Sequence, residues 1–319
     1  MDKIDLEKIK TVLIKNRVSK VSIKNFSRIK NVDRISKNDI KYFFDFIPEI
    51  NYGKNFKNLV NSILDAKKKQ KSIIFMFGAH VIKCGLSPII ISMIKNRYIT
   101  FLATNGASLI HDYELCSFGK TSENVDTAIQ DGKFGVTEET LGFVNRIATD
   151  ASKNNIGIGE MAGKKMYKLK YNKISVFSQA YINNTPITVH VAIGTDVVCQ
   201  SKYYNGADWG KSSYIDFLKL CAELKNLNDG GVILNFGSAV ILPEVFLKAI
   251  NIMRNLGYKV ENFTAANFDM ISQYRPITNI ISRPVAKGGI GYNFVGYHEL
   301  MLPLLYLFLC KNIKRKVEK

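Results

Sequence analysis

Histidine, tryptophan and proline are scarce in this chain: four, one and seven residues out of 319. The histidines, His80, His111, His190 and His298, show no H-x-x-x-H or H-E-x-x-H spacing, so the sequence carries no ready-made histidine metal motif. Five cysteines, at 84, 116, 199, 221 and 310, form no C-x-x-C and no close pair. A disulfide scaffold is excluded, and a reduced, cytoplasmic protein with buried thiols is expected. Residues 1–15 alternate charged with apolar side chains and contain no signal-peptide core. The longest apolar run, 300–310, falls far short of the roughly 18 residues a bilayer span needs. It is expected to be a buried terminal helix followed by the basic tail KNIKRKVEK, and no membrane partner is expected. Repeats, low-complexity tracts and Pro/Gly-rich linkers are absent as well.

Acidic residues are also in deficit, at 27 against 45 Lys and Arg, which leaves a net charge of +18. Charge speaks to partners and solubility rather than to fold, and a lysine- and asparagine-rich genome gives such a balance without any nucleic-acid role. The surplus is uneven: residues 1–71 hold about 18 basic against 8 acidic side chains. This stretch, with helix-like patterns at 5–16, 37–47 and 54–70, is predicted to be a basic helical extension. Residues 72–319 have a different texture, with short apolar runs alternating with helical patterns.

The runs at 72–77 (SIIFMF), 98–103 (YITFLA), 186–193 (PITVHVAI), 231–236 (GVILNF) and 259–264 predict strands. Helices are predicted at 86–97, from about 107, at 212–227 and at 243–256. Apolar strands alternating with helices predict an α/β fold with a mainly parallel sheet covered on both faces. In such a sheet ligands bind beyond the carboxyl ends of the strands. Small residues followed by polar ones stand at those ends: Gly78-Ala79-His80, Thr104-Asn105-Gly106, Gly194-Thr195-Asp196, Gly237-Ser238-Ala239 and Ala265-Ala266-Asn267-Phe268-Asp269.

These blocks suit either a phosphate cradle at a helix start or plain tight turns. Gly157-Ile158-Gly159-Glu160-Met161-Ala162 has the letters G-x-G-x-x-A but follows no strand, and is not taken as a dinucleotide fingerprint. His190, inside an apolar strand, suits a core or supporting role. His111-Asp112 and His298-Glu299 each set an imidazole beside a carboxylate, candidates for acid/base work. Asp196 and Asp269 are placed to bind ribose hydroxyls or to cap helices. Arg275 and Arg283 suit a clamp on a carboxylate or phosphate, or structural ion pairs. Lys287 is either an imine-forming amine or an ordinary surface lysine.

The blocks Thr104-Asn105-Gly106-Ala107-Ser108, Gly194-Thr195-Asp196, Gly237-Ser238-Ala239-Val240 and Phe263-Thr264-Ala265-Ala266-Asn267-Phe268-Asp269 resemble, in order, the NAD-contacting segments of deoxyhypusine synthase. Arg283-Pro284 with Lys287 resembles the stretch that carries that enzyme's imine-forming lysine. The region from about 72 to 305 looks like a prokaryotic relative within the deoxyhypusine-synthase-like group, distinct from the eukaryotic protein-modifying enzyme. The family's Gly-Gly-Gly turn is here Gly237-Ser238-Ala239, and no tryptophan stands near Lys287.

The resemblance implies a Rossmann-like sheet, bound NAD and a homo-oligomer, dimer or tetramer. It implies cofactor contacts at Asn105, Gly106, Asp196, Gly237, Ser238, Thr264, Ala265 and Asp269. The activity expected is NAD-dependent oxidation of a small amine or amino acid to an imine that is transferred or released. His111 or His298 would be the base, Glu244, Asp269 or Glu299 would hold an ammonium, and Arg275 and Arg283 any carboxylate. Two other classes remain open: a non-redox, metal- or phosphate-dependent enzyme of the same fold, and an RNA-binding protein using residues 1–70.

Overall fold

The structure, a computed structural model, describes residues 5–27 and 35–310. The basic tail at 311–319 lies outside the described residues. Six strands form one sheet: β1 (Ile73–Phe77), β2 (Phe101–Asn105), β3 (Ile187–His190), β4 (Val232–Phe236), β5 (Thr264–Asp269) and β6 (Ile290–Val295). Their spatial order is β3-β2-β1-β4-β5-β6, and every neighbouring pair is parallel. This is the Rossmann-like α/β arrangement, with its topological switch between β1 and β4.

Central strands β1 and β4 are buried along their whole length, which explains why IIFMF and VILNF carry no polar alternation. On one face Phe75, Phe236, Phe268 and Phe294 form a ladder. Ring centroids are 5.0 Å apart for Phe75–Phe236, 4.2 Å for Phe236–Phe268 and 4.8 Å for Phe268–Phe294. Phe56 of the helix Asn51–Lys68 and Phe308 of the helix His298–Leu309 close over this ladder. Each buried phenylalanine contributes about 1.5–3 kcal/mol of transfer free energy. On the other face Ile74, Met76, Ile233 and Ala265 meet Leu220 and Phe246 from the helices Gly206–Glu223 and Ile241–Asn255.

Three expectations need correction. The fifth strand lies at 264–269 rather than 259–264, because Asn262 takes φ +53 and turns the chain just before it. The sixth strand, IGYNFV, was not predicted. As an edge strand it buries Tyr292 and Phe294 but exposes Ile290 and Val295, so it shows alternation rather than a continuous apolar run.

The predicted helix at 5–16 is instead two single 3-10 turns, Leu6–Lys8 and Ile14–Asn16. The backbone there bonds outward: Val12 N–H donates to Val136 O and Glu138 N–H to Val12 O. Arg17 then reaches the buried Glu114 at 2.7 Å. Leu59, Val60 and Ile63 of the helix Asn51–Lys68 sit in the same cluster as Phe75 of β1.

Candidate functional site

At the switch point the chain leaves β1 through Gly78 and β4 through Gly237, and the two turns touch. A Cβ on Gly78 would lie 2.3 Å from the Gly237 carbonyl oxygen. Gly237 has φ +64, and a Cβ there would lie 2.6 Å from Nε2 of His298. The backbones and one imidazole therefore meet with no room for another carbon, which is the physical reason both positions are glycine.

His298 begins the helix that follows β6 and is only 1% exposed. Its Nδ1 has no hydrogen-bond partner among the described residues. Burial lowers its pKa, opposed by Asp269 and Glu299 and reinforced by His80, which favours the neutral ring. Asp269, the last residue of β5, is buried, and its Oδ1 accepts from Met270 N–H at 2.8 Å.

A ladder of asparagines holds this edge together. Asn235, Asn267 and Asn293 are in register on β4, β5 and β6. Asn235 Nδ2 donates to Asn267 Oδ1 and Asn267 Nδ2 to Asn293 Oδ1, each at 2.8 Å. Asn235 Nδ2 also donates to the Ser238 carbonyl at 3.0 Å, fixing the Gly237-Ser238 turn. The Ser238 hydroxyl in turn accepts from Leu242 N–H at 3.2 Å, in the first turn of the helix Ile241–Asn255.

Across the crevice, Asn105 caps the helix Gly106–Phe118 by accepting from Ser108 N–H at 3.0 Å. The Asp196 carboxylate rests against Gly106, where a Cβ would come within 2.8 Å of Oδ1. Asp196 Oδ2 accepts from Ala192 N–H at 2.8 Å, and burial raises its pKa. The sequence blocks at 105–106, 196, 237–238 and 269 thus reach one edge of the sheet, with His298 among them.

Other expected site residues lie elsewhere. Thr264 and Ala265 open β5 instead of closing it, so they sit at the amino edge. Lys287 precedes β6, and its ammonium stands 3.4 Å from Glu261, just upstream of β5. About 20 Å of strand, six residues at roughly 3.3 Å each, separates that edge from the crevice, so the imine role implied for Lys287 has no geometric support.

Glu244 is already paired, with Arg275 at 3.3 Å, Asn279 at 2.9 Å and Lys248 at 3.0 Å. Arg283 donates to Asn279 at 3.3 Å, so both arginines are engaged in one network through Glu244 and Asn279, in keeping with the ion-pair alternative. His111 bonds Thr121 Oγ1 at 2.8 Å. Burial pushes its pKa down to about 4, and Thr121 passes the contact on to Glu114 and Arg17. That arrangement ties the N-terminal segment to the body and gives His111 a structural role.

His190 is buried, with its pKa lowered by burial to about 3 and Nε2 3.0 Å from Thr188 Oγ1, in keeping with a core role. The start of the helix Ile158–Met166 receives the buried Asp216 carboxylate, which accepts from Gly159 N–H at 2.9 Å. A side chain thus fills the place a phosphate would need, which agrees with setting aside the G-x-G-x-x-A letters as a fingerprint.

Sequence reasoning missed His80, Cys84 and the company Glu299 keeps. The donor atoms of these three lie within 4.8 Å of one another, and the His80 and His298 ring centroids are 5.9 Å apart. The spacing His80-x-x-x-Cys84 was the available signal. A cavity of about 540 Å³, lined by Phe101, Ile187, Lys219 and Glu223 among others, opens at the amino edge of β2 and β3. It is remote from these groups.

No protein-family model matches the chain, and no curated protein sequence does. Solved structures do. An Entamoeba histolytica protein provisionally assigned as a deoxyhypusine synthase aligns over 91% of this chain and 98% of its own, with TM-score 0.51 and 12% identity. Unliganded AgrE aligns over 89% of this chain with TM-score 0.51 and 16% identity. AgrE in its ternary complex with ornithine and NAD+ aligns over 90% with TM-score 0.50 and 16% identity. The chain spans about a third, 34%, of the length of AgrE. At these identities the likeness establishes the fold, which is the one the sequence resemblance implied.

Proposed function

We propose that the chain binds a nicotinamide dinucleotide across the carboxyl-edge crevice and oxidises a small amine or amino acid to an imine that is transferred or released. The observation that carries this reading is the convergence of Gly78, Gly237, Asp269 and His298 at the switch point of a 3-2-1-4-5-6 parallel sheet. The donor set fits such a cofactor. The starts of the helices Gly106–Phe118 and Ile241–Asn255 flank the crevice, and Asp196 and Asp269 offer carboxylates to ribose hydroxyls or a substrate ammonium.

When bound, the nicotinamide accepts a hydride. With the hydride so removed from the substrate carbon, the neutral ring of His298 would take the proton that the substrate nitrogen gives up as the imine forms. AgrE was captured with ornithine and NAD+, which makes ornithine and related amino acids the first substrates to test. The +18 charge disfavours a polyamine by long-range repulsion.

Among the described residues no helix is long and apolar enough to cross a membrane, and all five cysteines are free. A cytoplasmic setting, expected from the sequence, is part of this reading. Met270, Ile271, Tyr274, Val295, Tyr297 and Leu300 are exposed apolar side chains around the ends of β5 and β6. A homo-oligomer formed through that face is part of this reading.

The test is thermal unfolding with and without NAD+. At a hundred times the dissociation constant, a ligand that binds only the folded chain adds about 2.7 kcal/mol. The stabilisation is expected to shrink in Asp269→Asn. His298→Ala is expected to keep NAD+ binding while losing substrate-dependent NADH formation. No shift at millimolar NAD+ overturns the proposal.

A further inference from the structure

Beside the Gly78–Gly237 contact three side chains of different chemistry meet, and the Cys84 thiol is hydrogen-bonded to the Glu299 carboxylate. His80 and Cys84 are four residues apart on the short helical turn that follows β1, where Cys84 N–H closes the turn on His80 O at 2.9 Å. That spacing sets both side chains on one face. Glu299 comes from the first turn of the helix His298–Leu309. Its carboxylate, the thiol and the imidazole place one ligand atom each within 4.8 Å of the others. We propose that His80, Cys84 and Glu299 bind a divalent zinc ion through nitrogen, sulfur and oxygen, leaving a fourth position for water or a substrate heteroatom.

The chemistry of the set selects the metal. Magnesium and calcium ask for oxygen donors, whereas one imidazole, one thiolate and one carboxylate suit borderline-soft zinc in a tetrahedral site. Bond lengths of about 2.0–2.3 Å put tetrahedral ligand atoms about 3.5 Å apart. The present spacing needs closing by roughly 1 Å, a movement the exposed Glu299 side chain can supply by rotation.

Zinc takes the thiolate, so the Cys84 proton leaves to solvent as the Zn–S bond forms. The His298 ring packs beside His80, with centroids 5.9 Å apart, so a second imidazole borders the group.

The site adjoins the proposed dinucleotide crevice but does not depend on it, and its test reads metal rather than turnover. Full-length protein stripped of metal is titrated with Zn2+ and, separately, with Co2+. One zinc per chain is expected, and cobalt is expected to give a thiolate-to-metal charge-transfer band. Cys84→Ser abolishes that band and Cys199→Ser leaves it intact.

His80→Ala is expected to weaken zinc by at least about 100-fold, since loss even of groups outside the ligand shell costs about 10–100-fold. Glu299→Gln, on the surface, tests the third ligand in a chain that folds normally. Less than stoichiometric zinc in the wild type overturns the proposal. So does a cobalt spectrum unchanged in Cys84→Ser or zinc affinity unchanged in Glu299→Gln. NAD+ binding measured on the metal-free protein separates the two readings: zinc without NAD+ sinks the function proposed above, and NAD+ without zinc sinks this one.

Discussion

Replacing Asn267 by alanine cuts the asparagine ladder at its middle rung. Asn267 accepts from Asn235 and donates to Asn293, both at 2.8 Å, and is fully buried. Asn235 Nδ2 keeps its second acceptor, the Ser238 carbonyl, so that donor is only partly orphaned. Asn293 Oδ1 loses its donor at a half-buried position that water can reach.

Two hydrogen bonds at about 0.5–1.5 kcal/mol each, with part of the desolvation cost of an unpaired buried group at about 1–3 kcal/mol, give roughly 2–4 kcal/mol. Unfolding entropy near 2.1 cal/mol/K per residue makes that a fall of about 3–6 °C in Tm for a chain of this length. Urea titration gives the free energy, and scanning calorimetry the midpoint. A double-mutant cycle of Asn235→Ala with Asn267→Ala isolates the pair. Coupling of about 1 kcal/mol is expected. Additivity within about 0.3 kcal/mol, or a loss below about 1 kcal/mol for Asn267→Ala, would refute the ladder as a structural element. Because the ladder fixes the Ser238 carbonyl, Asn267→Ala should also weaken any ligand held at the Gly237-Ser238 turn.

Two further outcomes follow from groups outside the crevice. Burial pushes the Asp216 carboxyl up to about 7, against the usual carboxylate range near 4. Below pH 4 the group is protonated in both states. Between pH 4 and 7 only the folded chain keeps the proton, so this residue makes stability fall as pH rises, by at most about 1.4 kcal/mol per pH unit. Both backbone donors, Gly159 N–H and Val189 N–H, bond the same oxygen, Oδ2. Asp216→Asn can keep them without the charge. Urea midpoints at pH 4 and pH 7 should show the variant gaining on the wild type as pH rises, and a constant difference refutes the assignment. Lys287→Ala should leave NAD+ binding and turnover unchanged, because the residue sits at the amino edge beside Glu261. Loss of turnover with intact folding would restore the covalent role implied by the family resemblance.

The parallel sheet was legible because β1 and β4 are covered on both faces, and such strands announce themselves as unbroken apolar runs. The placement of 105–106, 237–238 and 269 at the carboxyl edge was legible for a related reason: small residues at strand ends mark backbones in close approach, as the Gly78–Gly237 contact demonstrates. What stayed hidden depends on register.

Asn-Phe recurs along the chain, and three of its copies, at 235–236, 267–268 and 293–294, fall within strands of the sheet. Only when β4, β5 and β6 align does the repetition become an asparagine ladder on one face and a phenylalanine ladder on the other. Lys287 shows the same dependence: it was singled out by the residues around it in sequence, whereas the direction of β6, which follows it, sets it at the amino edge beside Glu261. The His80, Cys84 and Glu299 group is the hardest case. His80 and Cys84 follow β1, while Glu299 follows β6, more than 200 residues later. Nothing in the spacing of a single sequence brings a glutamate to a distant histidine and cysteine; the sheet order and the helix that starts at His298 do.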